Sequence, residues 1–182
     1  LKGYAQGIRN NKKENVAAVP CCVALNLFHY SKSIRDYMRS KYNLSDKFVV
    51  LYQGSFSPWQ MRDEMIQIFV KIRKKIGNAH FLILTLQNKE EIILPLAAAG
   101  VAEKDYTVFG VSHEEIANYT MMGDIGLLIR AKSPVNKFAF PTKFAEYLAC
   151  GVPVLCTAAV EDVSAIARVY ATGAVIDDVN SN

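Results

Sequence analysis

A chain of 182 residues with 51% hydrophobic and 21% charged side chains has the make-up of one ordinary globular domain with a full core. The net charge of +4 is mild, and its densest basic cluster, Lys71, Arg73, Lys74 and Lys75, falls late in a helical pattern, where cations complement a helix end. That excludes nucleic acid as the partner. No apolar run approaches the roughly 18 residues that cross a membrane, and no basic-then-apolar leader opens the chain, so a cytoplasmic location is expected. Neither Leu1 nor residues 179–182 carry a boundary signal. Both ends are expected to continue into a longer polypeptide, with 1–15 the tail of a preceding segment and 16–182 the domain proper.

In chain order, a short apolar run at 16–19 stopped by Pro20 predicts a strand, and 33–42 predicts a helix. Residues 48–52 form a continuous apolar run of the kind buried on both faces of a parallel sheet, ending at Gly54. From there helices are expected at 60–76, 89–99, 113–121 (capped by Ser112), 141–150 and 161–169. Strands are expected between them at 80–86, 106–109, 124–129, 152–156 and 174–176. Strands alternating with helices of 10–15 residues mean βαβ units, hence an α/β, Rossmann-like, doubly wound parallel sheet. Right-handed crossovers put the functional loops beyond the C-terminal ends of the strands. The apolar stretch 21–28 is expected to give an exposed face on which a missing domain packs.

The cysteines, Cys21, Cys22, Cys150 and Cys156, show no CxxC spacing and no histidine at zinc spacing. They read as reduced thiols of a core, and no metal site is expected. His29, His80 and His113 are scattered, and Asp177–Asp178 is not a metal-binding DxD, so neither supplies a catalytic cluster.

The chemistry concentrates in 129–154, IRAKSPVNKFAFPTKFAEYLACGVPV. Arg130, Lys132, Lys137 and Lys143 occur there with no acidic residue among them. With Pro141 at the first helical position, Lys143 lies in the first turn, where a cation opposes the helix dipole. An anion resting on the helix N-terminus would explain it. The competing reading is an exposed Lys143–Glu146 pair on one helix face. Gly54 alone, outside any GxGxxG or GxxxxGK[ST], is equally consistent with a plain turn. Trp59 reads as a helix-start packing residue or a wall of the site.

The segment PTKFAEYLACGVPV resembles the signature of family 4 (group 1) glycosyltransferases, and Glu146 matches the glutamate that accepts hydrogen bonds from the donor ribose in that family. VVLYQGS at 49–55 is similar to its strand and glycine turn beneath the donor phosphates. VFGVSHEEI at 108–116 is similar to its base-flanking loop, and MGDIGLL at 122–128 to its A-D-I-G-L strand. The resemblance covers roughly 15–178 and implies one lobe of a two-domain GT-B enzyme. By that resemblance the chain is a donor-binding domain in a retaining, hexosyltransferase-like reaction from a nucleotide diphosphate sugar to a glycan or lipid-linked glycan. It implies no bound metal and no cofactor besides the donor itself.

The resemblance assigns Gly54, Ser55, Arg130 and Lys143 to the diphosphate, Glu146 to the ribose, and the main chain near Phe109 and Val111 to the base. It leaves the acceptor-side catalytic residues to an N-terminal domain outside this chain. The partners it implies are the donor, that domain and, for the whole enzyme, the inner face of a membrane. Two departures stand out. The family's Arg and Lys after the glycine turn are replaced by Ser55, Phe56 and Trp59, and a second Glu eight residues before Glu146 is replaced by Phe138. Either Arg130, Lys132 or Lys143 supplies the missing charge, or the domain is a weakly binding, non-catalytic relative. A sugar-nucleotide epimerase half is the third reading.

Overall fold

The apolar runs become six strands of a single sheet. The computed structural model describes residues 19–57 and 60–177. The expected tail at 1–15, all but Val19 of the expected first strand, Trp59 and Asp178 lie outside them. After helix α1 (Lys32–Lys41), the strands are β1 (Phe48–Gln53), β2 (Ala79–Leu84), β3 (Tyr106–Phe109), β4 (Ile125–Leu128), β5 (Val154–Thr157) and β6 (Gly173–Ile176). Between them run α2 (Arg62–Lys75), α3 (Glu90–Ala98), α4 (Ile116–Thr120), α5 (Pro134–Lys137), α6 (Thr142–Ala149) and α7 (Glu161–Val169). All pairings are parallel, in the order β3-β2-β1-β4-β5-β6. The order reverses between β1 and β4, and that switch point opens a crevice at the strands' C-terminal ends.

Alternation along β1 divides the core. Val49 and Leu51 pack with Met38, Ala117, Phe144, Tyr147 and Val163, side chains of α1, α4, α6 and α7. Val50 and Tyr52 pack on the opposite face with Met65, Phe69, Ile92 and Leu96, from α2 and α3. Burial on both faces is why these strands read as unbroken apolar runs. At the switch point β1 and β4 pair only through Val50–Ile125 and Leu51–Gly126.

The opposite, N-terminal ends of β1 and β4 are tied by charge. Asp124 accepts from the Val49 N–H at 2.7 Å and from Arg39 at 2.9 Å, and it also pairs with Arg35. Arg39, 8% exposed, donates further to the Met122 carbonyl at 2.8 Å. These contacts dock α1 onto the entrance of β1 and β4.

Several local expectations change in the structure. The helix expected at 113–121 is only α4, because residues 113–115 form a turn, with the Glu115 N–H on the Ser112 carbonyl, before the helix begins at Ile116. The Ser112 hydroxyl meets the Glu115 carboxylate and not a helix N–H. Pro141 sits one place outside α6, in the cap position, so Lys143 is the second helical residue. Cys150 and Cys156 are buried thiols as expected, but Cys21 and Cys22 are exposed. The stretch around them divides, with Val19 and Leu25 in solvent and Phe28 in the core. Of the basic cluster on α2, Lys71, Lys74 and Lys75 are exposed, while Arg73 pairs with Asp105 at 2.6 Å.

Candidate functional site

A cavity of about 430 Å³ opens at the switch point, within the range of small-molecule sites. Its walls come from the ends of β1 (Gln53, Gly54, Ser55) and β2 (Leu84, Thr85, Leu86), the loop after β3 (Val111, His113), Ile116 of α4 and the first turns of α6 (Thr142, Lys143, Glu146).

Gly54 ends β1. Its N–H still joins the ladder, donating to the Leu84 carbonyl at 2.8 Å, but its φ of +123° leaves the strand path. That conformation favours glycine, and so does the space above it. A Cβ built there would lie 2.8 Å from Lys143 Nζ. The space a side chain would take at this turn is thus occupied by a lysine ammonium.

Lys143 Nζ rests 4.5 Å from the centre of the Tyr52 ring and 3.5 Å from Gln60 Oε1. The Tyr52 phenol is itself held by a hydrogen bond to the Ser55 carbonyl. Among the described residues Lys143 makes no ion pair. Burial, reinforced by the Arg130 guanidinium and only partly opposed by Glu146, pushes its ammonium down to about 7. The exposed Lys143–Glu146 pair is not what forms. Both side chains are half-buried and each has other contacts.

Glu146 lies one turn further along α6. Gln53 Nε2 donates to its Oε2 at 2.5 Å, and the Gln53 amide oxygen accepts from the Thr120 hydroxyl at 2.8 Å. Burial raises the Glu146 carboxyl, against the pull of Gln53, His113 and Lys143. Beneath it Tyr147 is fully buried, and its phenol oxygen accepts the Gln53 N–H at 2.9 Å. Gly126 makes room for that ring, since a Cβ there would meet it at 2.6 Å.

Of the residues named from sequence, the fold gathers Gly54, Ser55, Lys143, Glu146 and Val111 around one cavity. Phe109 is turned elsewhere. Its ring packs on Tyr42 and Tyr119, and its carbonyl accepts the Thr85 N–H at 2.9 Å. Arg130 stands behind the wall, close enough to act on Lys143, with its Nε buried and unpartnered. Its main chain is clamped by Thr157 in both directions, at 3.0 and 2.9 Å. The Phe56 N–H, just beyond the glycine turn, donates to Gln87 Oε1 at 2.6 Å. Sequence reasoning missed Gln53 and Thr120 and set His113 aside. The available signal was one polar side chain closing the apolar run FVVLYQ.

Among the described residues no group of three or more His, Cys, Asp or Glu side chains gathers to hold a metal ion, and no helix is long and apolar enough to cross a membrane.

Solved structures share this fold. WaaG, a glycosyltransferase of lipopolysaccharide biosynthesis, matches 94% of the chain with a TM-score of 0.73 at 16% identity, and the chain covers 45% of WaaG. The Anabaena protein Alr3699/HepE, in complex with UDP-glucose, matches 85% with a TM-score of 0.64 at 17% identity, and 42% of it is covered. The chain thus spans less than half the length of either. The C-terminal domain of the group 1 protein LpcC from Francisella tularensis matches 85% at 16% identity with a TM-score of 0.59, and 79% of that domain is covered. No curated protein sequence matches the chain. Residues 34–182 match the family described as Glycosyl transferases group 1, and with the GT-B fold of these neighbours the match places the chain in that family.

Proposed function

We propose that this chain is the donor-binding lobe of a glycosyltransferase that takes a sugar from a nucleotide diphosphate sugar and passes it, with retention, to a glycan or lipid-linked glycan. The observation that carries the reading is the ammonium of Lys143. It sits over the glycine turn at the first turn of α6, inside the switch-point cavity, without an ion-pair partner among the described residues. A buried cation so placed fits an anionic ligand resting on the helix N-terminus. HepE, a neighbour of this fold, is described with UDP-glucose, and its donor chemistry supports the same assignment here.

In this reading Gly54, Ser55, Lys143 and, from behind, Arg130 face the diphosphate. Glu146 accepts the ribose hydroxyls, and the main chain beside Val111 and Phe109 flanks the base. As the bond from the sugar's anomeric carbon to the phosphate oxygen breaks, negative charge grows on the departing diphosphate. Lys143 and the α6 N-terminus stabilise that charge. The acceptor and the groups that orient it belong to an N-terminal domain, so this chain alone binds donor without turnover. The exposed Val19–Leu25 stretch suits contact with that domain.

Calorimetric titration with UDP-, GDP- and ADP-sugars tests this. Glu146→Gln replaces a charge-assisted acceptor and is expected to weaken the best donor roughly ten- to a hundred-fold, from about 1.5–3 kcal/mol per such bond. Unchanged affinity removes Glu146 from the site, and no binding of any donor by the wild type favours a non-catalytic domain.

A further inference from the structure

We propose that Gln53 and Thr120 are positioning residues that aim the Glu146 carboxylate at its ligand, an inference that rests on Glu146 binding the donor ribose. Gln53 is 6% exposed and Thr120 is fully buried. Thr120 does not line the cavity, whereas Gln53 and Glu146 do. The three side chains form a line: Thr120 Oγ1 to Gln53 Oε1 at 2.8 Å, then Gln53 Nε2 to Glu146 Oε2 at 2.5 Å.

The order of donors is forced. An ionised carboxylate only accepts, so the nitrogen end of the amide must face Glu146. That turns the amide oxygen toward Thr120, whose single hydroxyl proton is shared between it and the Ile116 carbonyl of its own helix, each at 2.8 Å. Without the hydroxyl the amide oxygen would be buried and unsatisfied. Gln53 itself cannot drift, because its N–H is fixed to Tyr147 one residue beyond Glu146. Strand and helix are therefore linked twice, once through main chain and once through side chain. Glu146 keeps one oxygen pinned by Gln53 and its other oxygen free for a ligand hydroxyl. The amide's bond also opposes the tendency of burial to protonate Glu146.

A purely structural role explains this arrangement poorly. A buried polar chain at a strand end is demanding, since each member must be satisfied. An apolar residue would continue the run FVVLY at lower cost. The polar chain is instead spent on the one carboxylate in the cavity wall.

The test compares affinity for UDP-, GDP- and ADP-glucose with affinity for their 2′,3′-dideoxyribose counterparts. The wild type is expected to prefer the ribose forms at least ten-fold. Thr120→Val, which keeps the side chain's shape, should cut that preference to about two- or three-fold, and Thr120→Ser should restore it. Gln53→Met should abolish it and carries the test if Thr120→Val fails to fold. Mere loss of folded protein lowers both affinities alike and leaves their ratio unchanged. Full preference retained in both Thr120→Val and Gln53→Met overturns the inference while leaving the site intact. Donor binding by the wild type with no ribose preference instead overturns the reading of Glu146 on which it stands.

Discussion

Lys143→Met separates what this residue does for binding from what it costs the fold. Methionine keeps an unbranched stem on the Tyr52 ring and removes the charge. In the unfolded chain the lysine has its ordinary value of 10.5, and in the folded protein about 7. The folded form therefore holds its proton more weakly. The sign follows: wild-type stability is lowest at and below neutral pH and rises as pH climbs from about 7 toward 10.5. At about 1.4 kcal/mol per tenfold, folding the ammonium at pH 7 costs up to about 4 kcal/mol. Relief of even half raises the melting temperature by roughly 4–8 °C in a domain of this size. Donor binding moves the other way, weakening roughly ten- to a hundred-fold through loss of a charge-assisted contact.

The same lysine gives the wild type a pH signature. Binding a diphosphate recharges the ammonium, so affinity should fall by up to about tenfold per unit as pH rises above about 7. Lys143→Met should flatten that slope. Calorimetry from pH 6 to 9 and thermal melts of both proteins supply the readings. A flat wild-type profile, or a variant that binds like wild type, refutes the assignment to diphosphate. A variant that melts lower refutes the account of burial.

Two further substitutions probe the frame. Gly54→Ala forces a Cβ to 2.8 Å from Lys143 Nζ at a φ of +123°, and should lower stability by about 1–3 kcal/mol in urea unfolding while weakening donor binding. Asp124→Asn strips the carboxylate from Arg35 and Arg39, and should cost about 3 kcal/mol of stability. Per folded molecule its donor affinity should stay at the wild-type value, because this network lies at the far ends of the strands.

Most of the sheet was legible because its strands are buried on both faces, where apolar content and strand length coincide. Lys143 stood out for a different reason, because a cation in a helix's first turn contradicts local electrostatics, whereas Glu146 was named only by the resemblance of PTKFAEYLACGVPV. What stayed hidden depended on contacts between distant segments. Gln53 and Thr120 are 67 residues apart and acquire meaning only when α4 packs beside β1. The resemblance named only the main chain near Phe109, and where its ring goes is decided by the neighbouring rings of Tyr42 and Tyr119. The helix start at Ser112 failed because its carbonyl took the Glu115 N–H expected of its hydroxyl.

Tyr147 gives the crevice a property that topology alone does not. Parallel neighbours ordinarily zip together along their length, yet β1 and β4 share only two register positions before parting. The Tyr147 ring lies over Gly126 and offers its oxygen to the β1 N–H that a continuing neighbour would otherwise claim. It acts as a spacer, satisfying the exposed edge of one strand while keeping the other away. Between these strand ends there are therefore no backbone bonds for a ligand to break. The gap is held at its width by the fold, and binding energy that would go to prying strands apart remains available for recognition.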